Sequence, residues 1–428
     1  MSNSADQIDN IMNESYDKNF KSSGMRKDLG ILLMATAGMF LDGYQLSVIS
    51  LAVLYMAPVL RLSQFQVSLV LGSVILGTII GTISIGYISD LFGRRKIYIY
   101  NLAFFLFFGL ISILSSNLII ILIARLLMGV SVGADYPVSN SYIAEMAPKE
   151  IRGKYLSFSN VAFVAGAVAS MIVSIIVFGI QSINPDLGWR IMIGAGLLPA
   201  IFVLYLRMKM PESKMWEERR EKKGISHIAK SMFKGQAGKF TILTAVIWFF
   251  YDMVIFGVSL FNPTLMKMIY GKNVTDLENA LLASLFLLVL LVASVILMMN
   301  VDRLGRKKTQ FIGFMGIGLI LFILPSWYYN LIWLIILLIA VEIFNGFPST
   351  TIGMFPAELA KTEFRASSYG FASMLGKIGA LTGVLILGTE LNPKNLWIFY
   401  VFGVFTIVIA ALTLMLKETS NLELDSFY

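Results

Sequence analysis

Six ionisable side chains interrupt otherwise apolar runs of this sequence: Asp42, Arg125, Asp135, Asp252, Glu342 and Lys377. A charge at membrane depth costs a few kcal/mol or more, so it persists mainly where it faces a wet cavity or a partner. Arg125 and Asp135 lie ten residues apart, about 15 Å along a helix, which makes them poor partners for each other. Carboxylates in such places can take up and release protons, and a lysine withdrawn from water can hold an anion. That is the chemistry of moving a small molecule and protons together.

The elements that must position these groups are membrane spans. The chain has 428 residues, 57% hydrophobic and only 14% charged. Soluble domains average about 25% charged residues, so this composition specifies a polytopic membrane protein. Residues 1–27 are polar, with no apolar run, and read as a disordered tail rather than a cleaved signal. Spans are expected near 29–56, 66–88, 97–114, 117–143, 155–180 and 190–206, then, after a charged connection over 207–239, near 240–266, 280–300, 309–325, 330–355, 367–388 and 395–416. The expected fold is all-α, with twelve transmembrane helices in two pseudo-symmetric six-helix bundles, 28–206 and 240–416, and a C-tail over 417–428. There is no cysteine, which excludes disulfides and thiolate metal sites, and the single His227 lies in a polar stretch. No nucleophile–base pair or metal cluster stands out, so neither an enzyme nor a cofactor is expected.

The net charge of +8 is an orientation signal. Nearly all Lys and Arg fall in the N-tail, the alternate loops 89–97, 145–154, 301–308 and 357–365, and the 207–239 connection. The opposite side keeps only Arg61, Arg190, Lys267, Lys272 and Lys394. The positive-inside rule puts both termini and the central connection in the cytoplasm of a cell membrane. Anionic lipid headgroups, not nucleic acid, are the expected partner of this charge.

An internal repeat joins the halves. Asp90-Leu91-Phe92-Gly93-Arg94-Arg95-Lys96 returns as Asp302-Arg303-Leu304-Gly305-Arg306-Lys307-Lys308, and Ala144-Glu145 with Arg152 returns as Ala357-Glu358 with Arg365. Six-helix halves repeated this way mark major facilitator transporters. A carboxylate at such a turn can cap the positive N-terminal end of a neighbouring helix, and the arginines can pair with Glu145 or Glu358. Gly77-x-x-x-Gly81 and Gly379-x-x-x-Gly383 are spaced for close helix contact, chiefly packing, and would also let a rocking interface slide.

A family resemblance rests on several of these stretches. Gly133-Ala134-Asp135-Tyr136-Pro137-Val138-Ser139, with Glu145 behind it, resembles the fourth-helix signature of phosphate:proton symporters, in the sugar-porter-like branch of the major facilitator superfamily. Trp248, Asp252 and Phe256 are similar to that family's W-x-x-x-D-x-x-x-Y in helix 7, with Phe256 in place of tyrosine. Gly376-Lys377-Ile378-Gly379-Ala380 resembles its helix-11 segment, where the lysine is a substrate ligand, and Asp42 matches its first-helix aspartate. Pro211-Glu212-Ser213-Lys214-Met215-Trp216 is similar to the sugar-porter motif after helix 6. Ser349 stands where the family has a binding asparagine, and Phe163 where it has a glutamine.

The resemblance implies alternating access. Asp135, Tyr136, Trp248, Asp252, Phe256, Ser349 and Lys377 would bind substrate, Asp42 and Asp135 would handle protons, and Asp90, Gly93, Arg94, Arg95, Arg125, Glu145, Arg152, Asp302, Gly305, Arg306, Glu358 and Arg365 would latch the halves. Ionised Asp42, Asp135 and Asp252 would repel an oxyanion. A carboxylic acid withdrawn from water can instead stay neutral and donate a hydrogen bond to it. The expected function is therefore proton symport of inorganic phosphate or a similar small oxyanion by a chain working as a monomer. Sugar or organic-acid transport, and export of cationic compounds, which Glu342 would suit, remain open alternatives.

Overall fold

The computed structural model describes residue 32 and residues 36–180, 182–208, 231–270, 276–390 and 396–424. The 1–27 tail and most of the 207–239 connection, including its sugar-porter-like motif, lie outside them. The described residues contain helices and no strand. The first bundle is α1 (Thr36–Leu60), α2 (Gln64–Phe92), α3 (Arg94–Leu114), α4 (Leu118–Met146), α5 (Arg152–Gly179) and α6 (Pro185–Arg207). The second is α7 (Gly235–Tyr270), α8 (Asp276–Leu304), α9 (Arg306–Trp327), α10 (Leu331–Thr351), α11 (Arg365–Glu390) and α12 (Trp397–Thr413). Most helices outrun the apolar segments by about a turn, because their polar flanks continue the helix past the hydrocarbon.

Polar caps set where helices begin on the face opposite the basic loops. Ser63 and Gln66 form a capping box at α2, while Asn117 and Asn330 each accept two backbone N–H groups at the starts of α4 and α10. α6 is broken at Gly196, between Pro185–Ala195 and Leu197–Arg207. Side chains from α1 satisfy carbonyls beside the break: Tyr44 donates to Met192 O (2.7 Å) and Gln45 to Ile193 O (3.2 Å). The outer surfaces of α3, α6, α9 and α12 expose Phe107, Leu198, Leu319 and Val404, among others. So much apolar surface on every peripheral helix is what a lipid-facing wall requires.

Inside each bundle the glycines bring backbones together. A Cβ at Gly77 or Gly133 would strike the backbone of α4 or α2 respectively, and one at Gly379 or Gly383 the backbone of α7. Both GxxxG pairs therefore pack within a half. Packing, the chief role read from their spacing, is what they do; the interface between halves forms elsewhere, where α2 meets α11 and α5 meets α8.

On the basic face, the second copy of the repeated loop works as its chemistry predicts. Gly305 adopts φ 83° and its counterpart Gly93 φ 100°, conformations that favour glycine. The turn aims Asp302 across the interface, where its carboxylate accepts the Gly153 (3.0 Å) and Lys154 (2.8 Å) N–H groups at the start of α5. The Asp90 and Arg94 side chains lie outside the described residues. Arg95 donates to Met208 O (3.0 Å). Gly305→Ala should destabilise the protein by roughly 1–3 kcal/mol, the cost of an L-residue in a positive-φ, extended-ψ region that glycine alone occupies readily. Thermal unfolding in detergent would show this as a lowered midpoint, and an unchanged midpoint would contradict it.

The C-terminal residues up to Leu424 are not a free tail. Glu418 caps α9 through the N–H groups of Arg306 (3.0 Å) and Lys307 (3.1 Å), and Arg306 donates to Ser420 Oγ (2.8 Å). The strand of chain then crosses to the other half, where Arg152 donates to Leu422 O (3.0 Å) and Lys149 pairs with Glu423 (2.8 Å). The last pair is exposed, so it adds little by itself.

Candidate functional site

Between the bundles lies a cavity of about 340 Å³, lined from both halves. The first half contributes Tyr136 and Asn140 of α4 and Asn160 and Phe163 of α5. The second contributes Trp248, Tyr251, Asp252, Phe256 and Ser259 of α7, Glu342, Asn345 and Ser349 of α10, and Tyr369 and Lys377 of α11. Helical spacing accounts for the α7 set: residues three and four apart share a face.

Lys377 is the one basic residue among the described lining. Its Nζ lies 3.3 Å from Asp252 Oδ2, 5.1 Å from the centre of the Tyr136 ring and 4.9 Å from that of Phe256. A cation between an anion and two aromatic faces is held by charge and by the ring quadrupoles. Trp248 stands edge-on to Tyr369 (5.4 Å between centroids), and Gly376 leaves the space its indole fills. Asn160 donates to Ser349 Oγ (3.3 Å), tying α5 to α10 across the cavity.

The cavity thus gathers Tyr136, Trp248, Asp252, Phe256, Ser349 and Lys377. Asp135 is a correction: it is not in the lining but buried against α6. Its oxygens accept from Arg207 at 3.1 and 2.8 Å and from Asn101 at 2.9 Å. Arg207 is fully buried, with its guanidinium 4.4 Å from the Tyr98 ring centre. Sequence reasoning assigned it to the charged connection after α6, because a basic residue at a span's end reads as an anchor.

Asp42 is also absent from the lining. It is buried, and its Oδ2 has no hydrogen-bond partner among the described residues. It lies within electrostatic reach of Asp135, Arg207 and Lys377. One turn earlier, a Cβ at Gly38 would collide with the Asp135–Arg207 pair. Arg125 is fully buried, and none of its three guanidinium nitrogens finds a partner among the described residues. Among the described residues it makes no ion pair that would lock helices.

On the basic face the halves are joined by buried charges. Arg365 of α11 pairs with Glu145 of α4 at 3.2 Å, with both side chains fully buried. Arg306 pairs with Asp302 (2.8 Å) and Glu358 (3.2 Å) within the second half. Arg152 donates to Leu422 O. Because Glu145–Arg365 spans the halves, Glu145→Gln should loosen this face. In the cysteine-free chain, a single cysteine at Asn160 should react severalfold faster with an impermeant maleimide applied from the basic side. An unchanged rate would remove the pair from the latch.

The family model for sugar (and other) transporters matches residues 30–427. The chain belongs to that family. Its major facilitator fold is seen in the proton:xylose symporter XylE of E. coli, which superposes with a TM-score of 0.81 at 23% identity, covering 93% of this chain and 97% of the other. The repressible high-affinity phosphate permease of Neurospora crassa is 26% identical, over 81% of this chain and 75% of its own. The inner membrane metabolite transport protein YgcS of Escherichia coli is 27% identical, over 80% and 81%. Sugar transporter family membership makes this a multi-pass membrane transporter of a small molecule, not an enzyme.

Proposed function

We propose that this transporter is a proton-coupled symporter for a small oxyanion, of which inorganic phosphate is the simplest. The observation that carries the reading is the buried Lys377–Asp252 pair at the cavity wall. While Asp252 is ionised it satisfies the lysine and would repel an entering anion. A proton on Asp252 removes both obstacles, leaving Lys377 to hold the oxyanion while the carboxylic acid donates a hydrogen bond to it. Proton and anion therefore bind best together, which is the thermodynamic requirement for symport. Similarity to the phosphate permease supports the oxyanion, and the fold shared with a proton symporter supports the coupling.

In this reading the proton that neutralises Asp252 is taken up and given back through Asp42, and Asp135 keeps Arg207 in place beside it. Both termini and the connection after α6 face the cytoplasm, the bundles 28–206 and 240–416 rock against each other, and the chain works as a monomer. A second reading, an organic acid as substrate, is favoured by the aromatic walls contributed by Phe163, Phe256 and Trp248. The deciding experiment is uptake into proteoliposomes under an imposed pH gradient, with labelled phosphate competed by carboxylates, sugars and amines. Accumulation blocked by anions alone supports the proposal. Accumulation of a sugar or an amine, untouched by anions, would overturn it.

A further inference from the structure

The oxyanion site occupies only one end of the cavity. Along α7, Ser259 lies seven residues beyond Asp252, two helical turns or about 10 Å. There its hydroxyl donates to Glu342 Oε1 (2.8 Å), while Asn345 donates its amide to Glu342 Oε2 (3.0 Å). The orientation of Asn345 is fixed in turn, because its Oδ1 accepts from Tyr251 (2.8 Å). Glu342 is buried, lines the cavity, and among the described residues meets no cation.

Each oxygen of this carboxyl meets one neutral partner, Ser259 or Asn345, and each retains acceptor capacity. A buried carboxylate held only by neutral donors is costly unless something else compensates it. The cavity volume points the same way. A space of about 340 Å³ holds many waters of ~30 Å³ each, whereas a bare tetrahedral oxyanion fills the room of only a few. It falls within the range of pockets for small organic ligands, roughly 300–1,000 Å³, whose walls are mainly apolar with a few placed polar groups. Between the two ends the α7 wall is aromatic: Phe256 sits one turn from Asp252 and one turn from Ser259.

Resting on the oxyanion reading above, we infer that Glu342 is a specificity residue that selects an organic anion. Its acidic end lies at Lys377, and a hydrogen-bond donor, an amine or hydroxyl, sits about 10 Å away against Glu342. An apolar, preferably planar, middle would lie along Phe256. Inorganic phosphate would enter the same site but leave Glu342 uncompensated, so it would bind more weakly than the organic anion. A carboxylate and a phosphate monoester present the same charge to Lys377, and competition between them separates the two.

The test uses the full chain in proteoliposomes and three probes: inorganic phosphate, 3-phenylpropanoate, and 3-phenylpropanoate bearing a para-amine or para-hydroxyl. Each is scored by inhibition of counterflow and by quenching of tryptophan fluorescence. The donor-bearing compound should bind the wild type at least about tenfold better than its parent, as expected for a hydrogen bond to a charged group. Glu342→Gln should bind the parent as before and lose that preference, and Glu342→Asp should recover part of it. Parent binding by the Gln variant also reports that it is folded. Equal binding of parent and donor-bearing compound to the wild type would overturn the inference, as would a preference surviving in Glu342→Gln. So would phosphate binding with no binding of either organic anion. Failure of all three probes to bind, or binding of all three undiminished in Lys377→Ala, would instead overturn the oxyanion reading itself.

Discussion

Lys377→Ala should lose substrate binding in both uptake and exchange, by roughly 30- to 4,000-fold in Kd, the consequence of removing one partner of a buried charge interaction worth about 2–5 kcal/mol. The size follows from the surroundings. Lys377 is buried with Asp252 at 3.3 Å, and no other basic residue stands in the described lining to take over. Tyr136 and Trp248 can offer only neutral donors to an oxyanion.

A loss of binding could also come from damage to the fold, since the alanine leaves Asp252 buried without its cation. The double variant Lys377→Ala with Asp252→Asn separates the two causes. It has no orphaned charge and should recover thermal stability, while binding should stay lost. If the double variant bound the anion as the wild type does, the pair would be structural. Intact affinity in the single variant would move sugars or cationic substrates ahead.

The residues that proved legible in the sequence are those whose cost in hydrocarbon is high. A lysine or aspartate inside an apolar run needs a reason, so Lys377 and Asp252 could be assigned to one cavity before any coordinates. Arg207 was hidden because a basic residue at a span's end is ordinary. Only its burial against Asp135 and Tyr98 shows that it faces inward. That one omission also misplaced Asp135, whose missing partner was sought in the substrate. Neutral lining residues such as Asn160, Tyr251, Ser259 and Asn345 gave no signal, since serines and threonines are common inside helices for local reasons. Ser174 and Thr406, for example, donate to their own helix four residues back. The glycine pairs announced close packing but not the partner, because four-residue spacing fixes a face of one helix and says nothing of its neighbour.

Asp42→Asn should abolish accumulation driven by a pH gradient, leaving little net uptake, yet leave exchange of labelled for unlabelled substrate largely intact. Asp42 is buried, one of its oxygens has no hydrogen-bond partner among the described residues, and it lies within electrostatic reach of Lys377, Asp135 and Arg207. Asp135 is already satisfied by Arg207 and Asn101, so of the two first-half aspartates Asp42 is the one left to change its protonation during a cycle. Asparagine keeps the shape of the neutral acid but cannot release a proton. A carrier locked in that form can still bind, reorient loaded and swap substrate, since exchange requires no net proton release. It cannot return empty after giving up its proton, so a gradient no longer drives it. If Asp42 instead only supports packing against α5 and the Asp135–Arg207 pair, the substitution would damage exchange and uptake alike. The ratio of the two rates, measured on the same proteoliposomes, distinguishes these outcomes: proton coupling requires uptake to fall far more than exchange, and a parallel fall would reduce Asp42 to a structural residue.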